Sequence, residues 1–276
     1  MHLSEIYRPL TAMPFRRTEE YIEVPPCDAL KPFIRCFWGT ESVLSAPCKS
    51  AASVVSPDTC MDIIFHIDVL TGAYKASFCG IDERSHMSGN VCSDTGTAMF
   101  GIRFYPWSAV LFAAEDMSRC KNGCFAADEY FGGNIPRLGE RIVQCNTIYE
   151  RARATEMILM DMLTESRTDS ALLNGMYHII STDGRAKIAD ICGYACVSER
   201  TLERLFLRGT GVSPKTMSSL MRYQLLWRDI LSEHGGNMLD LAEKYGYTDQ
   251  SHLLRDFKRR HLMSPSQAVK YAREYK

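Results

Sequence analysis

The sequence predicts an α+β protein, with a strand-rich N-terminal part and an all-α C-terminal part. Three observations carry that expectation. Short runs of β-branched and aromatic residues, broken by glycine and proline, recur up to Phe104. Past Asp169 the apolar residues take up a spacing of three and four, which is helical. A two-helix unit then occurs twice. The interval from Phe206 to Ser213-Pro214 equals that from Phe257 to Ser264-Pro265.

A chain of 276 residues allows about two domains. Hydrophobic residues make up 46%, enough to bury a core, which excludes a disordered chain. No apolar run reaches the length of about 18 residues that a membrane span needs. Met1 to Thr18 carries polar and charged residues throughout and lacks the apolar stretch of a secretory signal, so a cytoplasmic location is expected. The net charge is only -1, but it is unevenly spread. Asp169 to Lys276 carries an excess of basic residues and Met1 to Thr168 an excess of acidic ones. A basic C-terminal part points to an anionic partner, most often nucleic acid.

In the N-terminal part, Thr59–Asp68, Lys75–Cys79 and Ala98–Phe104 read as strands. Pro25-Pro26, Pro57-Asp58, Gly72, Gly80, Gly89 and Gly96 punctuate them as turns. Strands at this spacing suggest a barrel or sandwich. Trp107–Phe112 and Cys124–Phe131 read as helical or irregular. Next, Ile148, Ala152, Thr155, Leu159 and Met162 recur at four and three, a 3.5-residue seam. Such a seam serves either a short coiled coil between two copies or packing onto the chain's own sheet.

In the C-terminal part, Leu172, Leu173, Met176, Ile179 and Ile180 mark one helix face, ended at Thr182-Asp183-Gly184. A short helix from Ala186 to Cys192 follows, with Gly193 at its end. Ser198 caps the next helix, whose inward stripe is Leu202, Leu205 and Phe206. Arg200, Glu203, Arg204 and Arg208 lie on its other face. A long helix spans about Pro214 to Leu231 and is broken at His234-Gly235-Gly236-Asn237. Met238–Gly246 and Gln250–His261 repeat the short-helix, long-helix pair, with Thr248 or Asp249 as the cap. Two helices joined by a tight turn, the second presenting polar groups outward, make a helix-turn-helix. The major groove admits such a helix, where arginine pairs with guanine.

The cysteines number eleven, an odd count with no C-x-x-C spacing, so a disulfide framework is not expected. Most read as small buried hydrophobes, Cys192 and Cys196 as core of the first helix-turn-helix. Cys120 and Cys124 share a face if their segment is helical, and Arg119 and Lys121 favour a thiolate. A thiol or soft-metal sensor using that pair, with Cys27, Cys36 or Cys145 as third partner, is the alternative to a small organic effector.

The duplicated segment resembles the AraC/XylS family of bacterial transcription regulators. The residues that carry the resemblance are Ile188-Ala189-Asp190, Ser198 to Phe206, Gly211-Val212-Ser213-Pro214, Arg222, Leu241 to Arg259 and Ser264-Pro265. Leu262 stands where the family usually has Gly, and Tyr247 and Leu253 where Phe is typical. The resemblance implies two helices in successive major grooves of double-stranded DNA. Arg200, Glu203 and Arg204 would read bases from the first, and Gln250, Ser251, Leu254 and Arg255 from the second. Glu203 either accepts from cytosine N4 or neutralises Arg200 or Arg204. Ser198, Arg208, Lys258 and Arg259 would hold phosphates.

Pro57 to Phe65 and Gly101 to Pro106 resemble the cupin-like sensor domain that precedes some of these regulators, over roughly Tyr21 to Gly133. That implies a β-barrel able to hold one small effector, with Trp38, Asp62, Arg103 and Trp107 as the candidate contacts. His66 and His86 alone do not make the His/Glu cluster of a metal cupin, so no resident cofactor and no enzyme are expected. The expected organisation is a cupin-like effector domain over 1–145, a dimerisation helix and linker over 146–168, and a double helix-turn-helix domain over 169–276. Homodimerisation, contact with RNA polymerase and an activating role follow from the resemblance alone.

Overall fold

A computed structural model describes residues 2–10, 21–39, 54–87, 96–164, 167–232 and 237–274. Gly89, Cys48, Cys92 and the break at His234-Gly235-Gly236 lie outside the described residues. The strands are β1 (Ile22–Val24), β2 (Ile34–Gly39), β3 (Val54–Val55), β4 (Met61–Asp68), β5 (Tyr74–Cys79), β6 (His86–Met87), β7 (Thr97–Phe104) and β8 (Cys124–Ala126). Six of them form one antiparallel sheet in the order β1-β2-β7-β4-β5-β8, while β3 pairs with β6. The predicted strands at 59–68, 75–79 and 98–104 are β4, β5 and β7. Strict alternation explains β4: Met61, Ile63, Phe65 and Ile67 are buried, and the residues between them face the other side.

The sheet is open where a closed barrel was expected. Among the described residues no pairing joins its edges, β1 and β8. Helices cover it instead. These are α2 (Ala127–Phe131) and α3 (Asn134–Val143), packed on β5, and α4 (Ile148–Met162), packed on β1 and β2. A short α1 (Leu3–Ile6) precedes the sheet, and Ala109–Leu111 is a single 3-10 turn.

Helix α4 starts at a capping box between Thr147 and Glu150. Its seam residues Ile148, Ala152, Thr155, Leu159 and Met162 are all buried within the chain. They fix the helix to its own sheet, so a seam between two copies cannot use them. Tyr149, Met157 and Met160 are the exposed apolar groups of this helix.

The C-terminal part is α5 (Ser170–Ser181), α6 (Ile188–Ala195), α7 (Glu199–Thr210), α8 (Pro214–Leu231), α9 (Met238–Lys244), α10 (Gln250–His261) and α11 (Pro265–Glu274). Only α11 was absent from the sequence expectation, because Ser264-Pro265 reads as a stop as readily as a new N-terminus. Asp169, Ser198, Ser213, Asn237 and Asp249 each accept a backbone N–H in the first turn of their helix. Gly193 does not end α6. Cys196 does, in the left-handed region at φ 55, and it is exposed rather than packed in the core. No helix among the described residues is long and apolar enough to cross a membrane.

One continuous buried cluster runs from Tyr7 and the sheet through α4 and α5 to Leu220 and Met221 of α8. A second, around Tyr223, Trp227, Leu253 and Phe257, holds the second two-helix unit. The sheet and the first unit therefore share a core.

Leu262 ends α10 in the left-handed region at φ 63, with its side chain 56% exposed. A non-glycine residue pays about 1–2 kcal/mol there and this one recovers little by burial. Leu262→Gly is therefore expected to raise stability by about 1 kcal/mol in thermal or urea unfolding. A destabilised Leu262→Gly variant would show that the exposed side chain has a contact worth more than the strain.

Candidate nucleic-acid interface

The two repeated units are tied by α8, which contributes residues to both buried clusters. In the first, Leu202 and Phe206 are fully buried, which rolls Arg200, Glu203, Arg204 and Arg208 of α7 into solvent. Leu205, read as part of the inward stripe, is only half-buried. In the second, Leu253 and Phe257 are fully buried, which exposes Gln250, Ser251, Arg255, Lys258 and Arg259 of α10. Leu254 is half-buried beside the second cluster. All these placements follow from a period of 3.6 residues about an inward stripe.

An open groove of about 640 Å³ lies over α7. Ser118, Glu199, Arg200, Glu203, Arg204, Leu207 and Arg208 line it. Among the described residues Glu203 forms no ion pair with Arg200 or Arg204, which leaves its carboxylate as an acceptor in the groove. Ser198 Oγ is occupied by its capping role, accepting from the Thr201 N–H at 3.3 Å.

Two groups in this face have partners that the sequence did not suggest. Arg208 Nε lies 3.4 Å from Asp116 Oδ2, on a loop of the sheet-rich part. Arg259 pairs with Asp256 one turn earlier on the same helix. The C-terminal ends of α7 and α10 are each capped from that part as well. The Met117 N–H donates to Arg208 O at 2.8 Å, and the Ser85 N–H donates to Arg260 O at 2.6 Å. Arg260 itself is buried, donating to Glu83 O and to Ser219 Oγ. Gly211, at φ +75, ends α7 so closely against this loop that an added Cβ would lie 2.7 Å from Met117 O and 2.8 Å from Cys120 Sγ. The contacts from the sheet-rich part join residues about 90 or more positions apart, a range at which sequence periodicity carries no signal.

The candidate effector contacts divide. Trp38, Asp62 and Arg103 meet. The Trp38 Nε1–H donates to Asp62 Oδ1 at 2.7 Å, and Arg103 grips the same carboxylate through Nε (3.0 Å) and Nη2 (3.1 Å). The Arg103 guanidinium also lies 5.7 Å from the Trp38 ring centre. Trp107 is elsewhere, donating to Pro32 O and stacked on Tyr105. Asp58, read only as part of a turn, is the fourth member of the cluster, 3.9 Å from Arg103 Nη1. Burial pushes the Asp58 carboxyl up to about 7 against the pull of Arg103. The two carboxylates hold Arg103 firmly charged despite its burial.

The cysteine chemistry also differs from expectation. Cys124 is bonded to Cys79 across the β5–β8 pair, not matched with Cys120. Cys124–Ala126 is a strand, so Cys120 and Cys124 do not share a helix face. Cys120 is fully buried, and burial pushes its thiol up to about 12, overriding any help from Arg119 and Lys121. Among the described residues no group of three His, Cys, Asp or Glu side chains is placed to hold a metal.

Comparison with known proteins agrees with the repeat. Residues 191–271 match the family described as helix-turn-helix domain. Residues 22–126 match a domain of unknown function (DUF6597). No curated protein matches the chain. Among solved structures, a point variant of apo ToxT from Vibrio cholerae is 14% identical, with a TM-score of 0.40 over 86% of this chain and 97% of that one. ToxT from Vibrio cholerae bound to an unsaturated fatty acid is 12% identical, with a TM-score of 0.37 over 91% and 93%. Scores this low assign no function. The family match falls on the two units whose buried stripes and caps are described above, and the C-terminal part of the chain is a helix-turn-helix domain of the AraC type.

Proposed function

We propose that the protein is a sequence-specific DNA-binding transcription regulator, an activator working with RNA polymerase, whose sheet-rich part senses a small organic effector. The observation that carries this reading is the repeated outward face. Arg200, Glu203 and Arg204 on α7 correspond in place to Ser251, Leu254 and Arg255 on α10, where Gln250 adds a polar group at the helix start, and one helix, α8, spaces the two. Base readout falls to these residues. Arg208, Lys258, Arg259 and the capped N-terminus at Ser198 serve the phosphates. Trp38, Asp62 and Arg103 supply polar groups beside the sheet for an effector, within an effector part over 1–145. Two copies join through the outer side of α4, where Tyr149, Met157 and Met160 are exposed, as part of a linker over 146–168 that leads to the DNA-binding part over 169–276.

The test is selection of binding sites from random duplex DNA by the full chain, followed by variants on the selected site. Arg204→Ala is expected to relax the preference at one base pair, at a cost of about 1–3 kcal/mol. Lys258→Ala is expected to weaken all sequences alike and to lower the salt slope by about one. Uniform weakening by Arg204→Ala would reassign that residue to a phosphate. Failure to enrich any site would defeat the reading as a whole.

A further inference from the structure

We propose that Cys79–Cys124 is a thiol–disulfide exchange site that controls how firmly the sheet-rich part holds both DNA-reading helices. This goes beyond the effector reading and rests on it only in taking α7 and α10 as the helices that meet DNA.

The disulfide closes a separation of 45 residues at the edge of the sheet. Two loops leave from it, residues 80–85 after Cys79 and residues 116–123 before Cys124. They are laced together. The Gly80 N–H donates to Gly123 O and the Asn122 N–H to Ile81 O, both at 3.0 Å. The Glu83 N–H donates to Asn122 Oδ1 at 2.8 Å, and Lys121 Nζ lies 2.8 Å from Glu83 Oε2. Each loop ends on a different reading helix. Met117 caps α7 and Ser85 caps α10, through the backbone bonds to Arg208 O and Arg260 O. The loop over residues 116–123 also places Asp116 on Arg208 and Ser118 in the groove over α7. One covalent bond thus ties together the roots of two arms that each touch one DNA-reading helix.

The bond is reachable. β8 is an edge strand, and Cys124 is exposed. A low-molecular-weight monothiol reduces it in two displacements. Its thiolate attacks Cys124 Sγ, the Cys79–Cys124 bond breaks, and Cys79 leaves as a thiolate that takes a proton. A second thiolate attacks the monothiol's sulfur in the mixed disulfide and releases Cys124, which is protonated in turn. Two monothiols become one disulfide, and the protein gains two electrons and two protons. The reverse, with the small disulfide as oxidant, restores the bond.

Reduction lengthens the tether between the two arms to the whole intervening chain. The arms then loosen, and Asp116 no longer competes with a phosphate for Arg208. The reduced protein is expected to bind duplex DNA about fivefold more tightly, with a log–log salt slope steeper by about one.

The experiment uses the full chain, equilibrated in buffers of dithiothreitol and its oxidised form. Three readouts are taken: thiol content by alkylation and mass spectrometry, amide hydrogen exchange, and binding to duplex DNA selected from a random pool. Two thiols should appear on reduction, assigned to Cys79 and Cys124. Exchange should rise together in residues 80–86, residues 116–123 and the last turns of α7 and α10. Cys79→Ser with Cys124→Ser should hold the reduced behaviour at every potential. If that variant does not fold, the wild-type titration alone decides. No thiols gained on reduction would overturn the site. Thiols gained with unchanged exchange would overturn the coupling. A redox response that survives in the double variant would reassign it to another cysteine. DNA binding absent in both states, with exchange still responding, would defeat the regulator reading and leave the clamp standing.

Discussion

Arg103→Met is expected to cost about 3–5 kcal/mol of folding stability. Arg103 is 4% exposed and lies between Asp62 and Asp58, on facing positions of β7, β4 and the turn before β4. Methionine keeps the length and removes the charge. Asp62 then loses all its guanidinium bonds and keeps the Trp38 N–H, while Asp58 loses the opposite charge of Arg103. Two carboxyls without a cation cannot both stay ionised in so small a buried space. The reciprocal design separates charge from shape. Arg103→Met combined with Asp62→Leu and Asp58→Asn removes the charges together and should regain most of the loss. Urea midpoints at neutral pH measure both. A loss below about 1 kcal/mol for Arg103→Met would mean that water reaches the cluster and that the ion pairs are effectively surface pairs. The same variants bear on sensing. If the cluster meets an effector, Trp38→Phe, which deletes a single donor to Asp62, should alter effector response while leaving the fold in place.

Most helices of the C-terminal part, though not α11, were legible because they are specified locally. An inward stripe, a Ser or Asp cap and a glycine or Ser-Pro stop lie within one window of sequence, so α7 and α10 and their outward residues follow from spacing alone. Of the strands, β4, β5 and β7 were legible for the same reason, β4 alternating without a fault over eight residues, while the others are two to six residues long and were not read. What failed was long-range pairing. The Cys79–Cys124 bond needs the register of β5 on β8, and β8 is only three residues long, too short to announce itself. The seam of α4 was visible, but a 3.5-residue repeat looks the same whether the surface it meets belongs to the same chain or to another copy. Asp58 was hidden by its neighbour, because Pro57-Asp58 is a turn signal on its own. The arms from the sheet to Arg208 and Arg260 had no local trace at all. Local specification reveals which groups face outward. It is silent on what the rest of the chain lays against them.

Acidification is expected to destabilise the second helix-turn-helix through His261. This residue is 3% exposed, stacked on Phe257 with ring centres 5.0 Å apart, and 4.6 Å from the Trp227 ring. Its Nδ1 shares a 2.6 Å hydrogen bond with the Tyr223 hydroxyl, and it is neutral in this apolar setting. Burial pushes its pKa down to about 4 from the ordinary 6.5. The sign follows from proton uptake. Between those two values the unfolded chain takes a proton that the folded chain refuses, so stability is lost as pH falls from 6.5 towards 4. The contribution is complete above 6.5 and amounts to about 3 kcal/mol across the window. Asp58 acts the other way over an overlapping range. Its carboxyl, raised to about 7 in the folded state, binds a proton there before the unfolded chain does, so its contribution favours folding as pH falls. The observed curve sums these with the other shifted groups, Asp82, Asp229, Asp256 and His66 among them, so a variant must isolate the histidine. His261→Phe in a Tyr223→Phe background removes the titrating ring and its hydroxyl partner together while keeping the aromatic stack. The difference in unfolding free energy between wild type and this variant should shift by about 3 kcal/mol in the variant's favour between pH 6.5 and 4. A constant difference over that range would place the acid sensitivity elsewhere and would mean that the folded chain accepts the proton at His261 as readily as the unfolded one.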